Sequence, residues 1–147
     1  MELTAGEPDF DTPAPVVEAA HQALRDGYFH YTPNAGLTEL REAVAAKLRR
    51  ENGLDVATEN VLCCSGAKQA VAQAILATCA PGDEVIIPAP YWVSYPDQVL
   101  LSGALPVVVE ASAHEEYQLT PERVEAAITP RTRMLIFNSP SNPTGAI

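Results

Sequence analysis

Three short runs combine residue types that can grip a ligand, and all three fall where an apolar run meets a turn. The first is Ser65-Gly66-Ala67-Lys68-Gln69, which passes from a β-type run into a helical one. Small residues there let a ligand approach the backbone, and the first free amides of the helix face an anion with the dipole in the right sense. The run lacks the glycine string and the Lys-Ser/Thr pair of a Walker loop, and a plain tight strand-to-helix turn uses the same small residues. The second is Pro88-Ala89-Pro90-Tyr91-Trp92, which holds the only tryptophan of the chain. An indole at a strand end can stack on a planar heteroaromatic ring; a core or interface tryptophan is the other reading. The third is Asn138-Ser139-Pro140-Ser141-Asn142-Pro143-Thr144-Gly145. Its X-Pro bonds and glycine stiffen the loop enough to fix the Asn142 amide as a donor, although a turn built from turn-formers reads the same way. Taken together, an anion cradle, a stacking face and a fixed amide donor suit a flat, phosphorylated ring.

The elements that must position these runs alternate. Thr12-Pro13 predicts a helix cap with proline at the first helical position, and Val17, Ala20 and Leu24 recur at helical spacing before Gly27. Residues 37–52 predict a second helix with the stripe Leu40, Val44 and Leu48. Its acids sit early and its bases late, as the helix dipole favours, and Gly53 ends it. Strands are predicted at Val61–Ser65, Glu84–Ile87, Pro106–Glu110 and Met134–Asn138. Helices are predicted at Ala67–Cys79, Tyr95–Ser102 and from Thr120-Pro121 to Ile128. Strands that are apolar throughout suit a sheet covered on both faces, and the alternation predicts a parallel α/β sheet with right-handed crossovers. Ligands in such sheets bind beyond the carboxyl ends of the strands, where the three runs lie.

Composition narrows the partners. The 147 residues carry a formal net charge of -10 and are 47% hydrophobic, which excludes wholesale disorder and allows a sizeable core. An acidic surface repels phosphate backbones and anionic lipid heads, so neither nucleic acid nor membrane is expected as a partner. Met1 to Gly6 carries neither a basic region nor an apolar stretch of signal-peptide length, and a cytoplasmic protein is expected. Cys63, Cys64 and Cys79 form neither a disulfide framework nor a zinc spacing and read as small buried hydrophobes. His21, His30 and His114 show no metal spacing, and no metal site is expected. The acidic pairs Asp83-Glu84 and Glu115-Glu116 read as solvated surface.

In the same order along the chain, these motifs resemble those of the class I aminotransferases, fold type I enzymes that use pyridoxal 5'-phosphate. The bacterial aspartate aminotransferase branch is the nearest match. The resemblance opens at Leu3-Thr4-Ala5-Gly6-Glu7-Pro8-Asp9-Phe10-Asp11-Thr12-Pro13. It continues through Tyr31-Thr32-Pro33-Asn34-Ala35-Gly36, Leu40-Arg41, Gly66-Ala67-Lys68-Gln69 and Pro81-Gly82-Asp83-Glu84-Val85. It closes with Pro90-Tyr91-Trp92-Val93-Ser94-Tyr95-Pro96 and the run from Asn138 to Gly145.

The resemblance implies an α/β fold: part of a fold type I large domain, mostly parallel sheet with flanking helices, incomplete at the C-terminus. Residues 1–30 would lead into that domain and residues 31–147 would belong to it. It also implies roles. Gly66, Ala67 and Lys68 would offer backbone amides to the cofactor phosphate, Trp92 would stack on the pyridine ring, and Asn142 would bond the phenolic oxygen. Gly6, Trp92 and Asn142 would meet the substrate. Tyr31 would reach the cofactor phosphate of the neighbouring subunit of a homodimer. Asn142-Pro143 and Ala89-Pro90 are candidates for cis bonds. The reaction would be transamination between an amino acid, aspartate first, and 2-oxoglutarate.

One requirement of that reaction has no match. Aminotransfer needs a lysine that forms a Schiff base and shuttles the α-proton, yet the chain has only Lys47 and Lys68. Lys47 lies on a charged helix face and Lys68 belongs to the phosphate turn, so the catalytic lysine is absent. The family's aspartate and arginine partners likewise have no matching positions. The chain is therefore expected to be an N-terminal portion of an aminotransferase, inactive alone, and marginal, aggregation-prone or dependent on a partner fragment. Two other readings stand beside it: a lyase or synthase with the same cofactor, and a non-catalytic α/β binding module.

Overall fold

Proline and glycine set most of the boundaries in the computed structural model, which describes residues 6 and 8–147. Leu3, Thr4, Ala5 and Glu7 of the opening motif lie outside the described residues. The chain forms two compact units that divide between Cys63 and Cys64.

The first unit holds α1 (Ala14–Arg25) and α2 (Thr38–Asn52), followed by a single 3-10 turn at Thr58–Asn60. Pro13, rather than Thr12, holds the cap position of α1, and no side chain caps it; Pro15 lies within its first turn. The predicted threonine cap is thus displaced by one residue, since proline needs no capped amide of its own. Helix α2 follows its expected charge order, with Glu39 in the first turn and Arg49 and Arg50 in the last. Gly53 ends it at φ 67°, a left-handed position that glycine adopts without a Cβ penalty, and the Leu54 amide turns back to the Leu48 carbonyl. Arg41 ties α2 to the 3-10 turn: Nε donates to the Val61 carbonyl at 2.8 Å and Nη2 to that of Thr58 at 2.9 Å. Gly36 packs so closely on Cys63 that a Cβ there would stand 2.7 Å from the cysteine Cβ.

The second unit is a three-stranded parallel sheet with helices. In chain order it runs α3 (Gly66–Thr78), β1 (Glu84–Ala89), α4 (Ser94–Leu101), β2 (Leu105–Glu110), α5 (Pro121–Ala127) and β3 (Thr132–Leu135). The sheet order is β2-β1-β3, so β1 is the central strand. β1 pairs with β2 from Glu84↔Leu105 to Ala89↔Glu110 without a break. It pairs with β3 at Val85↔Met134 and Ile86↔Leu135, with an irregularity between Glu84 and Val85. The core gathers Val85 and Ile87 from β1, Ile75 from α3, Tyr95 and Val99 from α4, and Ala104. Thr120 caps α5, its hydroxyl accepting from the Arg123 amide.

Four expectations are corrected. Val61–Ser65 is not a strand: among the described residues it has no ladder partner, and extended apolar residues make a strand only by pairing. β3 starts two residues earlier than predicted and ends at Leu135, although the Ile136 amide still reaches the Ile86 carbonyl. Only β1 is buried on both faces; β2 is mostly exposed or half-buried, with only Val109 buried, and β3 alternates between half-buried and exposed positions. The cysteines are free and half-buried rather than buried.

Glu84 departs most from expectation. It is only 5% exposed, while its neighbour Asp83 is half-buried and accepts from the Ala80 amide. One Glu84 oxygen accepts from the Thr129 hydroxyl at 2.6 Å, and the other accepts from Arg131 Nε at 2.8 Å and from Arg131 Nη2. The hydrogen bond from Thr129 and then those from Arg131, which favour the ionised form, hold the carboxyl below the usual glutamate value against the opposing cost of burial.

Candidate cofactor site

The first turn of α3 leaves its backbone open. Ser65 precedes the helix, and its amide is taken by its own-turn partner Gln69, whose side-chain oxygen accepts at 2.5 Å. Gly66 adopts φ 81°, and no atom lies within 4 Å of where a Cβ would stand, so the backbone here is open to approach. The Gly66 amide donates to the Cys64 carbonyl at 2.8 Å. The amides of Ala67 and Lys68 make no hydrogen bond among the described residues and lie at the positive end of the helix.

Trp92 follows β1 and immediately precedes the Val93 cap of α4. It is half-buried against the core and meets Tyr95 edge-on, with ring centroids 5.5 Å apart and planes at 83°. That T-shaped contact fixes the indole plane. The Lys68 ammonium lies 5.0 Å from the Trp92 ring centroid, a cation–π contact. The Lys68 side chain thus links the start of α3 to the indole, although 24 positions separate Lys68 from Trp92 in the chain.

The Asn138–Gly145 loop is folded on itself. The Asn142 amide donates to Asn138 Oδ1 at 2.8 Å, the Gly145 amide to the Ser141 carbonyl at 2.7 Å, and the Ser141 amide to the Ala146 carbonyl at 2.8 Å. Peptide bonds before Pro90, Pro140 and Pro143 are cis; the sequence reading named the first and third only. Asn142 itself is exposed and lines a cleft with Pro90, Tyr91, Tyr95, Tyr117 and Asn138. The cleft measures about 140 Å³, close to the size of cavity that takes one six-membered ring. Trp92 and the first turn of α3 do not line it.

The structure thus brings the Lys68 side chain to Trp92, and brings Asn142 to the residues just before Trp92. Tyr31 and Gly6 belong to the first unit, where both are exposed. Sequence reading missed two participants. It used only the backbone of Lys68, whereas the side chain reaches Trp92. It also passed over Gln98, which donates from Nε2 to the Lys68 carbonyl at 3.0 Å. The signal for Gln98 was present: it is the one polar member of the buried set Tyr95, Gln98 and Val99, which follows helical spacing.

A family model described as aminotransferase class I and II matches residues 1–147. The chain belongs to this aminotransferase family. It is 54% identical over its full length to a bifunctional aspartate aminotransferase and glutamate/aspartate-prephenate aminotransferase of Petunia hybrida, covering 31% of that protein. It is 56% identical over 98% of its length to an aspartate/prephenate aminotransferase of Cereibacter sphaeroides, covering 36% of that one. Its fold overlays the aspartate aminotransferase from Thermus thermophilus with maleate at a TM-score of 0.93 and 55% identity, over 96% of this chain and 37% of that chain. The chain spans about a third of the length of the curated relatives it matches.

The fold is thus that of fold type I aminotransferases, helices with a parallel sheet. Among the described residues, no helix is long and apolar enough to cross a membrane.

Proposed function

We propose that this chain carries one wall of the pyridoxal 5'-phosphate site of an aspartate-type aminotransferase. The observation that supports the proposal is the Lys68–Trp92 contact, which ties a residue of the open helix start to the indole. The open backbone at Gly66 and the unbonded amides of Ala67 and Lys68 fit a phosphate group. Bound there, the cofactor supplies an electron sink for the charge that develops at the α-carbon of an amino acid.

The chain's own part is to bind and orient. Gly66 lets the backbone come close. The Ala67 and Lys68 amides hold the phosphate dianion at the positive end of the helix, a local attraction that works against the repulsion of the net charge of -10. The Trp92 face holds the ring plane. The side-chain amide of Asn142 donates to the ring oxygen and, with Gly6 and Trp92, meets the substrate. Tyr31 serves the neighbouring subunit of a homodimer. Residues 31–147 act as part of the large domain, with residues 1–30 leading into it.

The donor amino acid is aspartate and the acceptor is 2-oxoglutarate, in the cytoplasm. The relatives' printed names support aspartate, as does the maleate, a four-carbon dicarboxylate, in the Thermus thermophilus structure.

Neither lysine serves as the cofactor-bonding group: Lys47 pairs with Glu51 at 3.5 Å, and Lys68 is held against Trp92. The 147 residues alone therefore bind the cofactor without turning over. The test mixes the chain with pyridoxal 5'-phosphate, records the absorbance spectrum before and after borohydride, and maps any labelled lysine. Saturable binding with no specific label is expected. Stoichiometric labelling of one lysine together with turnover of aspartate and 2-oxoglutarate would overturn it.

A further inference from the structure

Helix α4 stands directly behind the phosphate turn, and one buried side chain links the two. Gln98 is 9% exposed, and its Nε2 donates to the Lys68 carbonyl at 3.0 Å. That acceptor fixes which end of the amide carries the nitrogen, since the reverse would set two oxygens against each other. The other end, Gln98 Oε1, is buried and has no hydrogen-bonding partner among the described residues. Packing alone does not account for an amide here. A methionine or leucine would fill a similar volume beside Tyr95 and Val99 without leaving a polar atom unpaired.

We propose that Gln98 is a positioning residue that sets Lys68 for a phosphate, acting through the Lys68 main chain. This deepens the reading of the α3 start as a phosphate cradle and rests on it. Lys68 makes two contacts and leaves one donor free. Its amide is open at the helix start, its ammonium lies over Trp92, and its carbonyl is held by Gln98. A hydrogen bond to the carbonyl, on the far side of the residue from the open amide, restrains the turn before any anion arrives. α4 thus fixes both halves of the site: Tyr95 in its first turn meets the indole, and Gln98 one turn on holds the cradle. Preorganisation of this kind lowers the ordering cost of binding.

Trp92, the only tryptophan of the chain, reports binding by fluorescence quenching. The ligands are pyridoxal 5'-phosphate, pyridoxal without its phosphate, and inorganic phosphate as competitor. Gln98→Met should fold, because it also removes the unpaired Oε1. It should bind pyridoxal 5'-phosphate on the order of fivefold to tenfold more weakly, with pyridoxal affinity unchanged. Equal loss for both aldehydes would show a general structural role and overturn the proposal, as would no loss for either. A wild-type chain that binds both aldehydes alike and ignores inorganic phosphate would overturn the cradle itself, and the role of Gln98 with it. A second measurement needs no variant. On adding inorganic phosphate to the wild type, the Gln98 side-chain amide resonance should shift in step with the amides of Ala67 and Lys68. A shift of those two amides with Gln98 unmoved would overturn the proposal while leaving the cradle intact.

Discussion

Glu84 and Arg131 meet at the start of the β1–β3 pair, where the Glu84 amide also donates to the Arg131 carbonyl at 2.9 Å. Main chain and side chains thus lock the same two residues, 47 positions apart, just where the register is irregular. A one-residue slip there would turn every β3 side chain to the wrong face. The loop that follows β3 carries Asn142, so this lock sits upstream of the site it helps to aim.

The first prediction follows from the carboxylate. Thr129 and then Arg131 favour its ionised form, so its pKa is lower in the folded than in the unfolded chain. The stability it contributes is fully present above the unfolded value and is lost as pH falls through the folded one. Urea midpoints measured from neutral pH down to mildly acid pH should therefore fall for the wild type. E84Q should start lower and fall less over that window. Parallel curves for the two proteins would show that Glu84 is not an acid-linked contributor.

How legible these features were depended on how local their causes are. The helix α2 stop at Gly53 and the Thr120 cap could be read in place, because each needs only neighbouring residues. The central strand was equally clear from Val85 to Ile87, since a run buried on both faces is apolar at successive steps. Val61–Ser65 misled because apolar content does not reveal a missing ladder partner. Glu84 misled because its partners, Thr129 and Arg131, lie far along the chain. In the site, the residue types of the α3 turn were visible, but the cation over Trp92 and the amide behind Lys68 arise only from packing α3 on α4.

The second prediction concerns Gly66. At φ 81° a Cβ meets no neighbouring atom, so the cost of an alanine is backbone strain alone. Gly66→Ala should destabilise the chain by about 1–2 kcal/mol, the left-handed penalty of an L-residue, and weaken phosphate binding by disturbing the turn. Chemical denaturation with a phosphate titration checks both. An alanine variant of unchanged midpoint would mean that the turn relaxes to a right-handed form without loss.

A third prediction separates the indole's two roles, packing against the core and offering a face. Trp92→Phe keeps an aromatic face and should retain most of the affinity for pyridoxal 5'-phosphate. Trp92→Ala should lose about twofold to tenfold, the worth of an aromatic contact of about 0.5–1.5 kcal/mol. Both variants lose the fluorescence reporter, so the titration must follow the cofactor's own absorbance. Equal affinity for the alanine and wild-type proteins would place the ring away from Trp92.

The last prediction concerns the chain's outer surface. Leu100 and Leu101 at the end of α4, Val93 before it and Phe137 after β3 are all exposed, as is Ile128 beyond α5. In α1 no residue is buried, although Val16, Val17 and Leu24 give it an apolar side. β3 pairs only with β1 among the described residues, leaving the other side of its ladder open. Scattered apolar residues are ordinary on a surface, but these large ones at element ends together with an open strand edge favour association. The net charge of -10 opposes association by mutual repulsion, and salt screens that repulsion. The 147-residue chain should therefore bind a hydrophobic dye and elute as associated species, more so as salt is raised at neutral pH. Light scattering coupled to size exclusion, run at low and high salt, measures this. A monomer at both salts with a sharp, reversible, cooperative melt would show that the exposed surface is harmless.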